Sequence, residues 1–310
     1  MQKGSITLLL AILLAGCSPT ASPVVTPSAS PAVQTSTPVA SVTPRLETPA
    51  APATLLPGTP SVTPLPSTTD LDPSDWKSWP VLPVVTNNIR TIYLRGQQLG
   101  NDPHAFSVFG DCQSQPEAFL GVYETDPARQ QALPLEFQEM LVYFADSFNR
   151  VSPTIKDGTT AGGLLSPLWH NGAFGCGVTE TPVDCELRLH KPSFVFINVG
   201  THWVVRNQEY LRTISTGLIE RGVVPILVTK ADEREQGDKT NTDLAILAVE
   251  LNIPLWNFYA SVTDLPDLGL YAKPGQGGLG NVYLGDEASE RYRLGGLSAL
   301  YVVWQAAIKQ

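Results

Sequence analysis

The feature that most constrains this chain is a tract in which proline recurs every few residues, from Ser18 to about Pro83 (Pro19, Pro23, Pro27, Pro31, Pro38, Pro44 and onward) among Ser, Thr, Ala and Val. Proline removes the donor that helices and sheet ladders need, so neither can propagate through such spacing. With almost no charge before Arg45 and Glu47, the tract also has too few large apolar side chains to offset the entropy of ordering it. The expectation for 18–83 is an extended, partly polyproline-II linker. Folding is thereby confined to the remainder: folded sequence begins roughly at Trp76, and the domain is placed at 84–310. That length is enough for one sizeable core.

What precedes the tract reads as a targeting segment. Met1-Gln2-Lys3 is a short basic start, and Ile6 to Ala15 is an apolar run too short for a permanent membrane span but of signal-sequence length. It ends on Leu14-Ala15-Gly16-Cys17, a lipobox pattern: small side chains admit the peptidase, and the Cys17 thiol becomes the lipid-bearing N-terminus. Residues 1–17 are thus expected to be a lipoprotein signal. The partner this implies is the membrane, through a lipid at Cys17, and the location is the bacterial cell envelope outside the cytoplasm.

The formal net charge of -9 is dispersed and offers no basic stripe for phosphates, which argues against nucleic acid as a partner. After Cys17, three cysteines remain. Cys176 and Cys185 flank a short loop and suit a disulfide in an oxidising compartment. No Cys or His pairs have zinc-ligand spacing, so no metal and no cofactor are expected. Cys112 is left as the odd thiol.

Through the domain, apolar strands alternate with amphipathic helices. Strands are expected at Ala105–Phe109, Val151–Ile155, Ser193–Val199, Val223–Thr229 and Pro254–Phe258. Helices are expected at Ile89–Leu99 with Asn88 as cap, Phe137–Phe148, Gln208–Arg221, Thr242–Leu251 and Gly295–Ala307. Continuous apolar strands between helices point to a parallel sheet covered on both faces, with ligands at its carboxyl edge. The run Lys230-Ala231-Asp232-Glu233-Arg234-Glu235 follows a strand at the ligand edge and reads as a solvated charged loop, with the lining of a polar cleft as the alternative. His170 and His190 read as loop and helix-end residues.

Three turns lie on that edge: Gly110-Asp111-Cys112-Gln113-Ser114 after the first strand, Asp157-Gly158-Thr159-Thr160-Ala161-Gly162-Gly163 after the second, and Gly200-Thr201-His202-Trp203 after the third. In their order and spacing these blocks resemble the SGNH (GDSL) hydrolase family, over about Ala105 to Gln310. The resemblance implies a flavodoxin-like three-layer α/β/α fold with a central parallel sheet, found in esterases, lipases and acetylhydrolases of lipids and glycans. It implies a nucleophile directly after Gly-Asp, which here is Cys112 in place of serine. The oxyanion-hole glycine falls at Ala161, the oxyanion-hole asparagine at His202, and the aspartate after it at Trp203. The family's late Asp-x-x-His aligns with Gly280-Asn281-Val282-Tyr283, which puts Gly280 for the aspartate and Tyr283 for the histidine. A second register, at Asp286-Glu287-Ala288-Ser289, also lacks the histidine.

A tyrosine, with pKa near 10, is a poor general base at neutral pH. The expectation is therefore a hydrolase-like domain whose catalytic residues are mostly replaced, serving as a binding or accessory module for a glycan or acyl-ester ligand. Two alternatives stay open. One is an active ester hydrolase in which Cys112 pairs with His202, with Ser114 a less well-aimed nucleophile; the other is a structural envelope protein. Trp203 suits stacking on a sugar ring or plugging the former site.

Overall fold

The computed structural model describes residues 70–170, 172–199, 206–232, 237–275 and 280–309. Cys17, His202, Trp203 and residues 233–236 lie outside them. The described part is a mixed α/β domain, consistent with a three-layer arrangement, around an all-parallel sheet.

Helix α1 (Asn87–Leu99) leads into β1 (Asp102–Gly110). Short helices α2 (Val122–Thr125), α3 (Pro127–Ala132), α4 (Leu135–Tyr143), α5 (Ala161–Leu164) and α6 (Pro182–His190) separate it from β2 (Pro192–Asn198). Helix α7 (Asn207–Glu220), strand β3 (Val224–Val228), helix α8 (Lys239–Leu251) and strand β4 (Leu255–Trp256) follow. A small antiparallel pair, β5 (Leu270–Tyr271) and β6 (Tyr283–Leu284), precedes the long final helix α9 (Asp286–Ile308).

The four strands lie in the order β1-β2-β3-β4. Every residue of β2 and β3 is buried, as a sheet covered on both faces requires. On the other side of β1, Ile155 forms a single parallel bridge to Gly110. The expected strand at Val151–Ile155 shrinks to that bridge because Pro153 sits in its middle and has no N–H for a ladder. Thr154 O accepts from Gly110 N at 3.0 Å, and Lys156 N donates to Gly110 O at 3.2 Å. The chain thus leaves β1 to one side through residues 152–156 and returns on the other at β2. That reversal makes the carboxyl edge between β1 and β2 the natural place for a crevice.

Several element boundaries differ from the sequence expectation for local reasons. Thr86, not Asn88, caps α1, its hydroxyl accepting from Asn88 N at 3.3 Å. The Asn88 amide instead donates to Leu251 O and Asn252 O at 3.3 and 2.9 Å, holding the end of α8. Helix α4 stops at Tyr143, short of Phe148, because Asp146 is left-handed (φ 70°) with its N–H on Glu124. Ser147 points its hydroxyl at Phe106 N and His190. Helix α9 begins at Asp286 rather than Gly295.

The folded unit takes in part of the expected linker. Trp76 and Trp79 are 3% and 6% exposed within the main core. Their carbonyls accept from the Asn257 amide, and Val81 O accepts from Asn257 N. Two tryptophans supply the apolar area that the proline tract upstream lacks. Cys176 and Cys185 are joined in a disulfide, closing the loop onto α6. Among the described residues, no helix is long and apolar enough to cross a membrane.

His190, at the end of α6, donates from Nε2 to Phe106 O at 3.1 Å, with Ser147 Oγ at 3.2 Å. Burial first, then the charge of Arg150, hold its imidazole below the ordinary range. The unfolded chain therefore binds this proton more readily than the folded one. Its contribution to stability is present above the unfolded value, about 6.5, and is lost as pH falls through it toward the folded one. Denaturant midpoints measured between pH 5 and 8 should drop on the acidic side, and His190→Gln should flatten that part of the profile.

Candidate functional site

Strand β1 delivers the chain into the crevice with no free play. Gly110 has Ser114 and the Asn198 backbone packed where a side chain would stand. Asp111 then caps a 3-10 turn (Cys112–Ser114): its Oδ1 accepts from Gln113 N at 3.0 Å, and its carbonyl from Ser114 N. This turn leaves Cys112 half-buried at the front and turns Ser114 inward.

Behind the turn lies a buried polar network built from four elements. Lys230, just beyond β3, reaches Asp111 Oδ2 at 3.1 Å and Asn198 Oδ1 at 3.2 Å. Lys230 and Asp111 are only 2% and 4% exposed, so the reading of Lys230 as part of a solvated loop is corrected. Its backbone is fixed as well: Asn241 Oδ1 accepts from Lys230 N and Asn241 Nδ2 donates to Lys230 O, both at 2.8 Å. Asn198, closing β2, donates from Nδ2 to Ser114 Oγ at 2.9 Å and makes a short hydrogen bond to the Tyr292 hydroxyl on α9. Ser114 Oγ also lies 3.3 Å from Asn198 O. Desolvation, with the charge of Asp111 second, keeps the Tyr292 phenol well above its usual value and therefore protonated. The network satisfies its own donors and acceptors, which a low-dielectric interior demands. It occupies Ser114, which is buried and is not presented as a nucleophile.

In front of the turn is an open cavity of about 170 Å³. Cys112 and Gln113 form one wall, Tyr271, Lys273 and Tyr283 another, and α9 contributes Ser289 and Arg293. The two walls are stitched by Gln113 Nε2 donating to Val282 O at 3.0 Å. Tyr271 and Tyr283 are cross-strand partners with ring centres 6.0 Å apart, and the Lys273 ammonium lies 4.0 Å from the Tyr283 ring centre. The Cys112 thiol is half-buried; desolvation, and then the carboxylate of Asp111, push its pKa up, only partly countered by Lys230. That is the opposite of an activated thiolate.

Of the residues picked out by sequence, Cys112 and Tyr283 meet at this cavity. Gly280 precedes Tyr283 with a left-handed backbone (φ 74°), a conformation that favours glycine over the aspartate of the family pattern. Ala161 opens α5, but its side chain is fully buried in the hydrophobic core and does not line the cavity. His202 and Trp203 lie outside the described residues. The chain's other histidines are engaged elsewhere: His104 Nδ1 with Tyr143 O, His170 Nε2 with Glu180 O, and His190 as described.

Sequence reasoning missed Asn198, Tyr292, Tyr271 and Lys273, and offered Lys230 only through the alternative of a cleft-lining run. Only Asn198 carried a readable signal, as a polar residue ending an otherwise apolar strand. No protein-family model, no curated protein and no solved structure matches this chain.

Proposed function

We propose that the chain is a lipoprotein of the bacterial cell envelope whose globular unit is an SGNH-hydrolase-like, flavodoxin-like domain that binds its ligand without hydrolysing it. The lipid anchor rests on Leu14-Ala15-Gly16-Cys17 and the proline-rich linker behind it. The fold assignment is supported by the sheet: counting residues 152–156 as the second strand in sequence, the spatial order is 2-1-3-4-5, the flavodoxin-like order. It is supported too by the meeting of the Gly-Asp-Cys turn with the block containing Val282 and Tyr283.

One observation carries the loss of chemistry. Burial and then the Asp111 carboxylate push up the pKa of the thiol in the nucleophile position, and Tyr283, which aligns with the family's histidine, lines the same cavity. Nucleophilic attack needs a thiolate, or a base that can make one. The remaining equipment is a binding cavity with two aromatic rings and polar groups around it, a composition suited to ligand recognition.

Two measurements on the purified full chain test this. Hydrolysis of short acyl nitrophenyl esters should stay at background, and neither Cys112→Ala nor His202→Ala should change it. Alkylation of Cys112 by iodoacetamide, followed against pH, should show a midpoint above that of an ordinary cysteine thiol (about 8.5). Turnover abolished by both substitutions would instead establish a Cys112–His202 pair and overturn the binding reading.

A further inference from the structure

We propose that the Cys112 cavity is selective for a single carboxylated sugar ring, a uronate-type saccharide unit, with Lys273 as the residue that reads the carboxylate. This rests on the ligand-binding role proposed above and adds the class of ligand.

Size comes first. A cavity of about 170 Å³ is well under the roughly 300–1,000 Å³ that enclose drug-sized ligands, so one ring fits and a chain of rings must run out into solvent. The walls then select among single rings. Tyr271 and Tyr283 present aromatic surface, tilted by 46° to each other. The negative face of such a ring matches the weakly positive C–H face of a sugar. Around them stand polar groups with capacity left for hydroxyls: the Cys112 thiol, the Gln113 amide oxygen (its Nε2 is on Val282 O), the lone pairs of the Ser289 hydroxyl (which donates to Leu284 O) and the Tyr271 phenol. An apolar face bordered by hydroxyl partners suits a sugar better than a flat apolar molecule.

Charge makes the last distinction. The whole chain carries -9, yet among the described residues both charged side chains lining this cavity are basic, Lys273 and Arg293. Arg293 is already committed, with Nη1 on Glu290 at 2.7 Å and Nε on Ala118 O at 3.1 Å. Lys273 has no ion pair among the described residues and rests on the Tyr283 ring. A π face attracts an ammonium but does not neutralise it, and lysine keeps three donors for an acceptor that comes in beside the ring. A basic cavity on an acidic protein also concentrates anions locally. A carboxylate on the ring meets that lysine; a neutral hexose leaves it unanswered.

Calorimetric titration of the full chain with glucuronate, its neutral methyl ester and glucose tests the inference. Glucuronate should bind at least about tenfold more tightly than the other two, the difference made by one charge-assisted hydrogen bond. Lys273→Gln should reduce glucuronate to the affinity of its ester, with an unchanged unfolding midpoint, and Lys273→Arg should retain the preference. Equal affinity for the three ligands, or a preference that survives Lys273→Gln, overturns selectivity for the carboxylate and leaves the cavity as a neutral-sugar site. Absence of binding by any of the three overturns both this inference and the saccharide-binding role of the cavity.

Discussion

Replacing Lys230 with Met should destabilise the protein by about 3–5 kcal/mol, the largest effect expected of any single substitution at the site. Lys230 is the countercharge of a carboxylate from which solvent is almost entirely excluded. Removing it leaves Asp111 charged, buried and holding only the Gln113 N–H among its described side-chain partners. It also leaves Asn198 Oδ1 without the ammonium. Breaking such a pair costs far more than the pair's own net worth, because the surviving charge keeps its desolvation penalty. The double variant Lys230→Met with Asp111→Asn removes both charges, and should recover a large part of the loss. Urea unfolding midpoints of the two single variants and the double variant give the coupling directly. Additive losses would mean that the two groups act independently, and that the turn carrying Cys112 is held by its backbone alone.

The same residue marks the limit of what the sequence made legible. Strands β1, β2 and β3 are readable because a sheet covered on both faces needs uninterrupted apolar runs, and Phe106, Phe196 and Ile226 lie in such runs. Lys230 is unreadable by that logic. It opens a string of charged residues, and only a carboxylate 119 positions earlier in the chain turns it from solvated to buried. Thr86 and Asn88 are both good helix caps, and the choice between them is made by carbonyls at the end of α8 that have no local trace. The tryptophans at 76 and 79 stand in a proline-rich context, and their large apolar rings are what marks the start of folded sequence near Trp76. At the site, the motif resemblance singles out Cys112 and Tyr283, and both line one cavity. It aligns Ala161 with the oxyanion-hole glycine, a role for its backbone N–H, while its methyl group is buried in the core. Lys273 belongs to no motif block and is positioned by a two-residue hairpin pairing too short to announce itself in sequence.

Gly110→Ala should cost about 3 kcal/mol or more, and should do so by disturbing the site rather than the sheet. A methyl group at Gly110 would stand 1.9 Å from Ser114 Oγ and 2.4 Å from the Asn198 carbonyl oxygen. Ser114 cannot turn away freely, since its hydroxyl receives the Asn198 amide. The carbonyl is backbone in β2, whose residues are all buried, so it cannot retreat without moving the strand. Overpacking of a well-filled core typically costs about 1–3 kcal/mol, and here the displaced groups are also hydrogen-bonded to each other, which adds the loss of satisfied buried polar atoms. Gly217→Ala is the control: it lies inside α7 and meets only the movable end of Arg221, so helix propensity should raise stability by roughly 0.5–1 kcal/mol. Ser114→Gly placed on Gly110→Ala should recover part of the loss by removing the nearer clash, leaving the share owed to the Asn198 carbonyl. Because Gly110 and Ser114 flank Asp111 and Cys112, iodoacetamide should react faster with Cys112 in Gly110→Ala than in the parent chain, as the thiol leaves the half-buried setting that keeps it protonated. A loss of stability with no change in that rate would place the strain in the sheet, and would separate the geometry of the turn from the state of its thiol.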